Sequence, residues 1–282
     1  MKLFTPAVVI AAMTGILIVP LAQAAAAPGQ SPPETTWSAP LDEAHYLFYS
    51  GRYAEAAAIA LDIRVSDVVN LEASELRTSA LHFQIRRALG EPEDRGKAWK
   101  LCEVCQELMP VFLEEFRLGR AAARAAVEDD ATDDDALFFL GKLDLNYVWL
   151  QLATVGRKTG LGEFREARES LNTVLERRPD HIRAQVARAW IDYIVATSLP
   201  RGTRWILGGG NKDRGLLTVE NAAHAETTRF ARAEAMFALW DMRAREENFT
   251  EALVTAHALS RDFPENRELV RFITRHEGGE DQ

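Results

Sequence analysis

Apolar residues recur every three or four positions along most of the chain, which is the period of an amphipathic α-helix. The pattern is clearest in residues 71–89, 136–158 and 182–199. Short polar breaks, such as Ser50-Gly51-Arg52, separate the helical segments. No alternating run of apolar and polar residues bounded by turn residues lasts more than a few positions, so no strand is predicted. The pattern therefore predicts an all-α fold.

One spacing of residues recurs within these helices. An aromatic residue is followed by small or apolar residues at offsets of three, seven and ten, and by proline at fifteen. The third copy lacks the proline, and the fourth lacks both the aromatic residue and the proline. The four copies are Phe164, Ala167, Leu171, Val174 and Pro179; Phe249, Ala252, Ala256, Leu259 and Pro264; Tyr53, Ala56, Ala60 and Ile63; and Gly215, Val219 and Ala222.

Each member of the spacing has a physical role. The aromatic residue opens the second helix of a hairpin and packs on the first. The small residue lies where two helices cross, because a larger side chain would push their axes beyond about 8–10 Å. Proline ends the hairpin because it cannot donate to a continuing helix. Asp180 and Asn266 then follow the prolines at positions suited to capping the next helix.

This spacing resembles the tetratricopeptide repeat (TPR) family over roughly residues 41–275. The resemblance implies an α-solenoid of stacked antiparallel hairpins whose first helices line a concave, partner-binding groove. The chain departs from the family where Ala167 and Gly215 are separated by 48 residues. Against a period of about 34, this leaves about 14 inserted residues, around positions 199–211. Residues 71–127 are predicted to be helical but match no repeat well.

The N-terminus has the pattern of an export signal. Lys2 precedes an apolar stretch over residues 7–21, and Ala22-Gln23-Ala24 supplies the small residues of a cleavage site. As a helix this stretch would span only about 22 Å, against a hydrocarbon core of about 30 Å. We therefore expect a signal peptide over residues 1–24, cleavage after Ala24, and a periplasmic or secreted protein with no stable membrane insertion after signal removal.

The remaining segments follow from composition. Residues 25–40 are rich in proline and predict a flexible linker, residues 41–275 the helical repeat domain, and residues 276–282 an acidic tail. The formal net charge of −9 argues against a general nucleic-acid binder, since phosphate contacts need clustered Lys and Arg.

The chain has two cysteines, Cys102 and Cys105, at the spacing of a redox pair. A redox pair works from a helix N-terminus, where the helix dipole favours the thiolate. Residues 96–101 read as helix, so the pair is expected inside a helix. This placement favours ordinary packing or a minor disulfide over a redox or metal site.

The insert is the most unusual segment. Gly208-Gly209-Gly210 is not followed by the Gly-Lys-Ser/Thr sequence of a phosphate-binding loop, so a nucleotide site is not predicted. Two interpretations stay open: a clamp for an anion or other ligand, with Asn211 capping the next helix, or a long connection that uses its glycines for positive φ. The clamp would use Arg201, Arg204, Lys212 and Arg214 around Trp205.

Four further residues on first helices are candidates for partner binding: Trp149, Arg183, Trp190 and Tyr193. Aromatic residues and arginine dominate binding hot spots, but the same residues can simply fill a core. With Arg201, Arg204 and Trp205 they complete the predicted binding set.

No catalytic residue, cofactor or metal site is predicted. Residues 128–135 are acidic but lack the glycine and terminal glutamate of an EF-hand loop, and we expect their last aspartates to cap the helix at Ala136. The histidines form no metal-ligand motif.

The predicted function is a scaffold or adaptor that binds an unidentified protein or peptide. The alternatives are a ligand-binding accessory of a transport system, similar to TPR-like partners of TRAP transporters, and, ranked last, a redox or hydrolytic enzyme.

Overall fold

A computed structural model describes residues 39–90, 92–157, 159–198 and 209–277. Within these ranges the chain forms twelve α-helices and one π-helical turn, with no β-strand, which confirms the all-α prediction. The elements are α1 (Pro40–Tyr49), α2 (Tyr53–Ser66), α3 (Leu71–Leu89), α4 (Arg95–Leu101), α5 (Glu103–Asp129), α6 (Asp134–Val148), the π-turn (Trp149–Val155), α7 (Leu161–Arg177), α8 (Ile182–Ser198), α9 (Lys212–His224), α10 (Arg229–Arg245), α11 (Phe249–Asp262) and α12 (Arg267–Glu277).

Several predictions concern residues outside these ranges. The signal peptide, nearly all of the linker, and Arg201, Arg204 and Trp205 lie outside the described residues. The acidic tail does so in part, because α12 continues through His276 and Glu277.

Each helix packs against the next along the chain, except that α3 pairs with α5 across the short α4. The small residues of the recurring spacing lie at these interfaces, and Ala56, Ala167 and Ala252 are fully buried. A Cβ at Gly215 would lie 2.9 Å from the Ala189 carbonyl oxygen, closer than packed atoms allow. Small residues at the helix crossings are therefore confirmed.

The aromatic members of the spacing behave less uniformly. Tyr53 begins α2, and both it and Phe164 are buried. Phe249 begins α11 but is 38% exposed, and its ring stacks on His276 of α12 with centroids 4.2 Å apart. Phe249 thus packs on the following helix, because α12 covers that side of α11.

Three of the predicted caps are confirmed. Asp133 accepts a hydrogen bond from the Ala136 amide at 2.8 Å, and Asn266 accepts one from the Glu268 amide at 2.9 Å. Asn211 caps α9 as the sequence predicts. The cap predicted at Asp180 is wrong: α8 begins one residue later, and His181 Nδ1 accepts from the Ala184 amide at 3.1 Å.

Asn211→Ala is expected to lower the free energy of unfolding by about 1 kcal/mol. Asn211 Oδ1 accepts a hydrogen bond from the Arg214 amide at 2.9 Å, and alanine leaves that amide without its side-chain acceptor. Urea unfolding followed by circular dichroism measures the change. Asn211→Ser keeps a capping oxygen and should lose much less; equal losses in the two variants would contradict the capping role.

The described end of the insert packs against α8. Gly209 has a φ of +73°, which favours glycine. A Cβ at Gly210 would lie 2.6 Å from the Asp192 carbonyl oxygen, so only glycine fits there. These two glycines have structural roles, which agrees with the interpretation of the segment as a connection.

The first helix also packs against the last hairpin, which the sequence pattern did not predict. Tyr49 of α1 stacks on Phe237 of α10 and contacts Phe263, with centroids 5.4 and 5.5 Å away. Asn266 Nδ2 donates to the Tyr49 carbonyl oxygen at 2.7 Å across 217 residues of sequence. The two ends of the helical domain therefore share a core.

Only Cys105 of the cysteine pair lies inside a helix, which corrects the prediction that both do. Helix α4 ends at Leu101 and α5 begins at Glu103, so Cys102 is the N-cap residue of α5 and forms a disulfide with Cys105. Its φ of −87° and ψ of 89° interrupt the helix.

Among the described helices, none has the length and apolar character needed to cross a bilayer.

Candidate binding site

A cluster of buried charges lies where five helices of the domain converge. Arg183 of α8 donates to three carboxylates: Nη1 to Glu72 at 3.1 Å, Nη2 to Glu75 at 2.9 Å and Nε to Glu234 at 2.7 Å. His45 of α1 contacts the same Glu72 oxygen at 3.1 Å. The guanidinium of Arg183 is therefore bound by residues of α3 and α10.

A second cation completes this charge cluster. Lys142 of α6 pairs with Glu234 and lies 3.7 Å from Glu75. Ser79 also donates to Glu75, at 2.9 Å, and Asn146 donates to Ser79 at 2.9 Å. The side chains of Glu75, Lys142, Arg183 and Glu234 are each no more than 16% exposed. Few polar atoms of the cluster are left for water.

The pKa directions favour the charged forms of the two cations, because neighbouring carboxylates raise the pKa values of Lys142 and Arg183 despite their burial. Burial alone would raise the pKa of Glu234, but Lys142 and Arg183 offset this and hold that pKa well below its ordinary value. Burial, with Glu234 nearby, raises the pKa of Tyr49. The hydrogen bond from His45 lowers the pKa of Glu72, with Arg183 adding to the effect. The TPR resemblance predicts a groove lined by the first helices of the hairpins. At the charge cluster, the space between these helices contains the chain's own ion pairs.

An open cleft lies between α7, α8 and α9. Its volume is about 280 Å³, just below the range of about 300–1,000 Å³ that is typical of small-ligand pockets. It is lined by Asn172 and Leu175 of α7, Gln185, Arg188, Ala189 and Asp192 of α8, and Arg214 and Thr218 of α9.

Arginine residues surround a single buried carboxylate at this cleft. Asp192 pairs with Arg188 at 2.7 Å and with Arg214 at 2.9 Å. Arg188 Nε also donates to Asn172 at 2.7 Å, which fixes its orientation. Arg168 lies near the same group, and its pKa is lowered by burial and then by Arg188. The guanidinium groups of Arg188 and Arg214 against the carboxylate of Asp192 give the lining of this cleft a net positive charge, suited to a carboxylate or phosphate.

The structure distributes the predicted binding residues over several places. Arg183 belongs to the charge cluster, and Trp149 packs on the core around Phe138. Trp190 and Tyr193 contact each other edge to face at 5.6 Å, and Arg245 lies over the Trp190 ring.

Tyr193 is in the interior, although its hydroxyl reaches a polar group. Its side chain is 1% exposed, and the hydroxyl donates to Glu246 at 2.8 Å. Lys212, which the clamp interpretation included, pairs with the same Glu246. Of the clamp residues in the described part of the chain, only Arg214 lines the cleft.

Sequence reasoning missed most residues of both sites. Glu75 and Glu234 occur singly on helices, where an isolated charged residue indicates a solvated surface. Arg188 and Asp192 carried one usable signal, an opposite-charge pair four residues apart on a helix, but such pairs are common on exposed helices.

Among the described residues, no group of three or more His, Cys, Asp or Glu side chains is placed to hold a metal ion. Comparison with known proteins does not assign the chain to a group: no protein-family model matches it, and no curated protein matches it significantly.

Proposed function

We propose that this protein is an exported, TPR-like α-solenoid scaffold that binds a protein or peptide partner and has no hydrolytic chemistry. We further propose that the partner binds at the cleft between α7, α8 and α9 through an acidic group. The observation that carries this proposal is the pairing of both Arg188 and Arg214 with the buried carboxylate of Asp192.

The packing of successive helices supports a scaffold. Successive helices contact each other, except that α3 contacts α5 across the short α4, and fully buried small residues recur at the crossings, as in repeat proteins whose hairpins stabilise one another. The resemblance to tetratricopeptide repeats and the sequence of the export signal support a binding role outside the cytoplasm. Because the charge cluster fills the space between several first helices, a partner is better accommodated at the cleft.

The cleft is suited to an acidic group because its arginines are held in place before binding. Asp192 and Asn172 fix Arg188, so little side-chain freedom is lost when an anion arrives. Arg214 is the accessible member, with 62% of its side chain exposed. A carboxylate side chain or a chain terminus of the partner can reach it from solvent.

Arg214→Gln is expected to weaken partner binding at least tenfold, since a hydrogen bond to a charged group contributes about 1.5–3 kcal/mol. Asp192 keeps Arg188, so the fold should persist. The mature chain, immobilised and exposed to an extract of its native compartment, should retain one stoichiometric protein that the variant releases.

Arg117→Gln is the matched control. Arg117 is 64% exposed and pairs with Glu114 on α5, so it has the exposure of Arg214 without the cleft. Equal retention of the partner by the wild-type chain and Arg214→Gln would contradict binding at the cleft. Loss of the partner in both Arg214→Gln and Arg117→Gln would mean that binding depends on surface charge in general.

The size of the cleft favours a second candidate, the ligand-binding accessory of a transport system. A volume of about 280 Å³ accommodates a small organic anion. Native mass spectrometry of the purified protein distinguishes the two, because a bound small molecule that is lost in Arg214→Gln would favour this role over the scaffold.

A further inference from the structure

We propose that the Cys102–Cys105 disulfide exchanges with the thiols of a second polypeptide, which makes the junction of α4 and α5 a dithiol–disulfide site. The proposal does not rest on the cleft between α7, α8 and α9, and either can fail without the other. Three observations carry it: the position of Cys102, the unequal burial of the two cysteines, and the exposed apolar side chains beside them.

The position of Cys102 favours reversible reduction. Its sulfur accepts a hydrogen bond from the Cys105 amide at 3.2 Å, at the N-terminus of the 27-residue helix α5. After reduction, a Cys102 thiolate would keep this hydrogen bond and gain the attraction of the positive end of the helix dipole. Both effects stabilise the thiolate over the thiol.

The two cysteines differ in burial. Cys105 is fully buried in the core that includes Met109 and Phe112, whereas Cys102 is partly exposed at the edge of that core. An incoming thiolate can therefore attack Cys102 but not Cys105. A disulfide with one accessible sulfur and one protected sulfur allows a single direction of attack, which ordered exchange requires.

Large apolar side chains are exposed on both sides of Cys102. Leu101 is 73% exposed and Val104 is 51% exposed. On α5, Val111 is 40% exposed and continues the same face seven residues after Val104. An extended or unfolded peptide can cover these side chains while a cysteine of its own reaches Cys102. The substrate class is thus a polypeptide dithiol with apolar residues beside its cysteines.

The exchange balances without a cofactor. A partner thiolate attacks the Cys102 sulfur, the bond between the two cysteines breaks, and Cys105 leaves as a thiolate that takes a proton from water. A new S–S bond joins the partner to Cys102. The second partner thiolate then attacks the partner sulfur of that bond, and Cys102 leaves as the thiolate at the start of α5. The partner dithiol loses two electrons, and the cysteine pair gains them.

The first test uses the wild-type mature chain under native conditions. A peptide that contains two cysteines flanked by leucine and valine should reduce the disulfide while circular dichroism stays unchanged, and the peptide should be recovered as its own disulfide. A disulfide that resists the peptide until urea unfolds the chain would overturn the proposal, because it would then be only a structural link.

The second test locates the attack. Reduced Cys105→Ala, offered the oxidised peptide, should accumulate a mixed disulfide at Cys102, whereas reduced Cys102→Ala should form none because Cys105 is buried. The double variant Leu101→Gln, Val104→Gln should slow exchange with the peptide at least about tenfold and leave exchange with glutathione unchanged. If the double variant slowed exchange with the peptide and with glutathione equally, or slowed neither, the peptide-binding face would be contradicted.

Discussion

Replacing Glu234 by alanine is expected to lower the free energy of unfolding by about 3–5 kcal/mol at pH 7, since breaking a buried ion pair leaves a charge uncompensated. Glu234 pairs with both Lys142 and Arg183, whose side chains are 15% and 16% exposed. Arg183 would keep Glu72 and Glu75, but Lys142 would keep only Glu75, at 3.7 Å. Urea unfolding followed by circular dichroism measures the loss.

Asp241→Ala is the control on the same helix. Asp241 forms an ion pair with Arg245 four residues along α10, and such surface pairs contribute about 0.3–0.5 kcal/mol. A Glu234→Ala variant as stable as Asp241→Ala would mean that the charge cluster does not hold these helices together.

The same carboxylate makes stability depend on pH in a defined direction. Because Lys142 and Arg183 hold the pKa of Glu234 below its ordinary value, its contribution is complete above about pH 5 and is lost as pH falls below about 4. Glu234→Gln should therefore be less stable than the wild-type chain at pH 7 and lose less stability between pH 5 and pH 3. Parallel stability curves for the two proteins would contradict this assignment.

Ala167→Glu is expected to unfold the α6–α7 hairpin, with a fall in Tm of more than about 10 °C. Ala167 is fully buried, and a Cβ at Gly141 of α6 would lie 3.3 Å from its carbonyl oxygen. Glutamate overfills this crossing, at a cost of about 1–3 kcal/mol, and adds an unpaired buried charge. Calorimetry of the variant measures the effect.

Ala121→Glu supplies the comparison, since it introduces the same side chain on an exposed position of helix α5. Its Tm should change little. An unchanged Tm in Ala167→Glu would count against the repeat register, because the register requires a small residue at that crossing.

The sequence predicted the features that depend on nearby residues. Helix α3 was predicted with its observed bounds, and the buried Ala167 and Gly215 followed from a recurring spacing. Asn211 and Asn266 were identified as caps because a cap involves only the next few residues. The miss at Asp180 is a shift of one residue, within the range over which helix starts are ambiguous.

The contacts that form the charge cluster could not be predicted. Arg183 and Glu72 are 111 residues apart, and nothing in either segment specifies the other.

The prediction for Cys102 failed for a different reason. Residues 96–101 do form helix α4, but periodicity does not show where a single residue leaves helical φ and ψ. The cleft was not predicted, and Arg214 was named only as part of the clamp interpretation, because arginines and aspartates on helices usually face solvent.

Native mass spectrometry of the protein isolated from its own source tests the proposed function most directly. The expected result is a chain that begins at Ala25, in a complex with one protein or peptide at fixed stoichiometry. A chain that retains residues 1–24, or that carries no polypeptide partner, would contradict an exported scaffold.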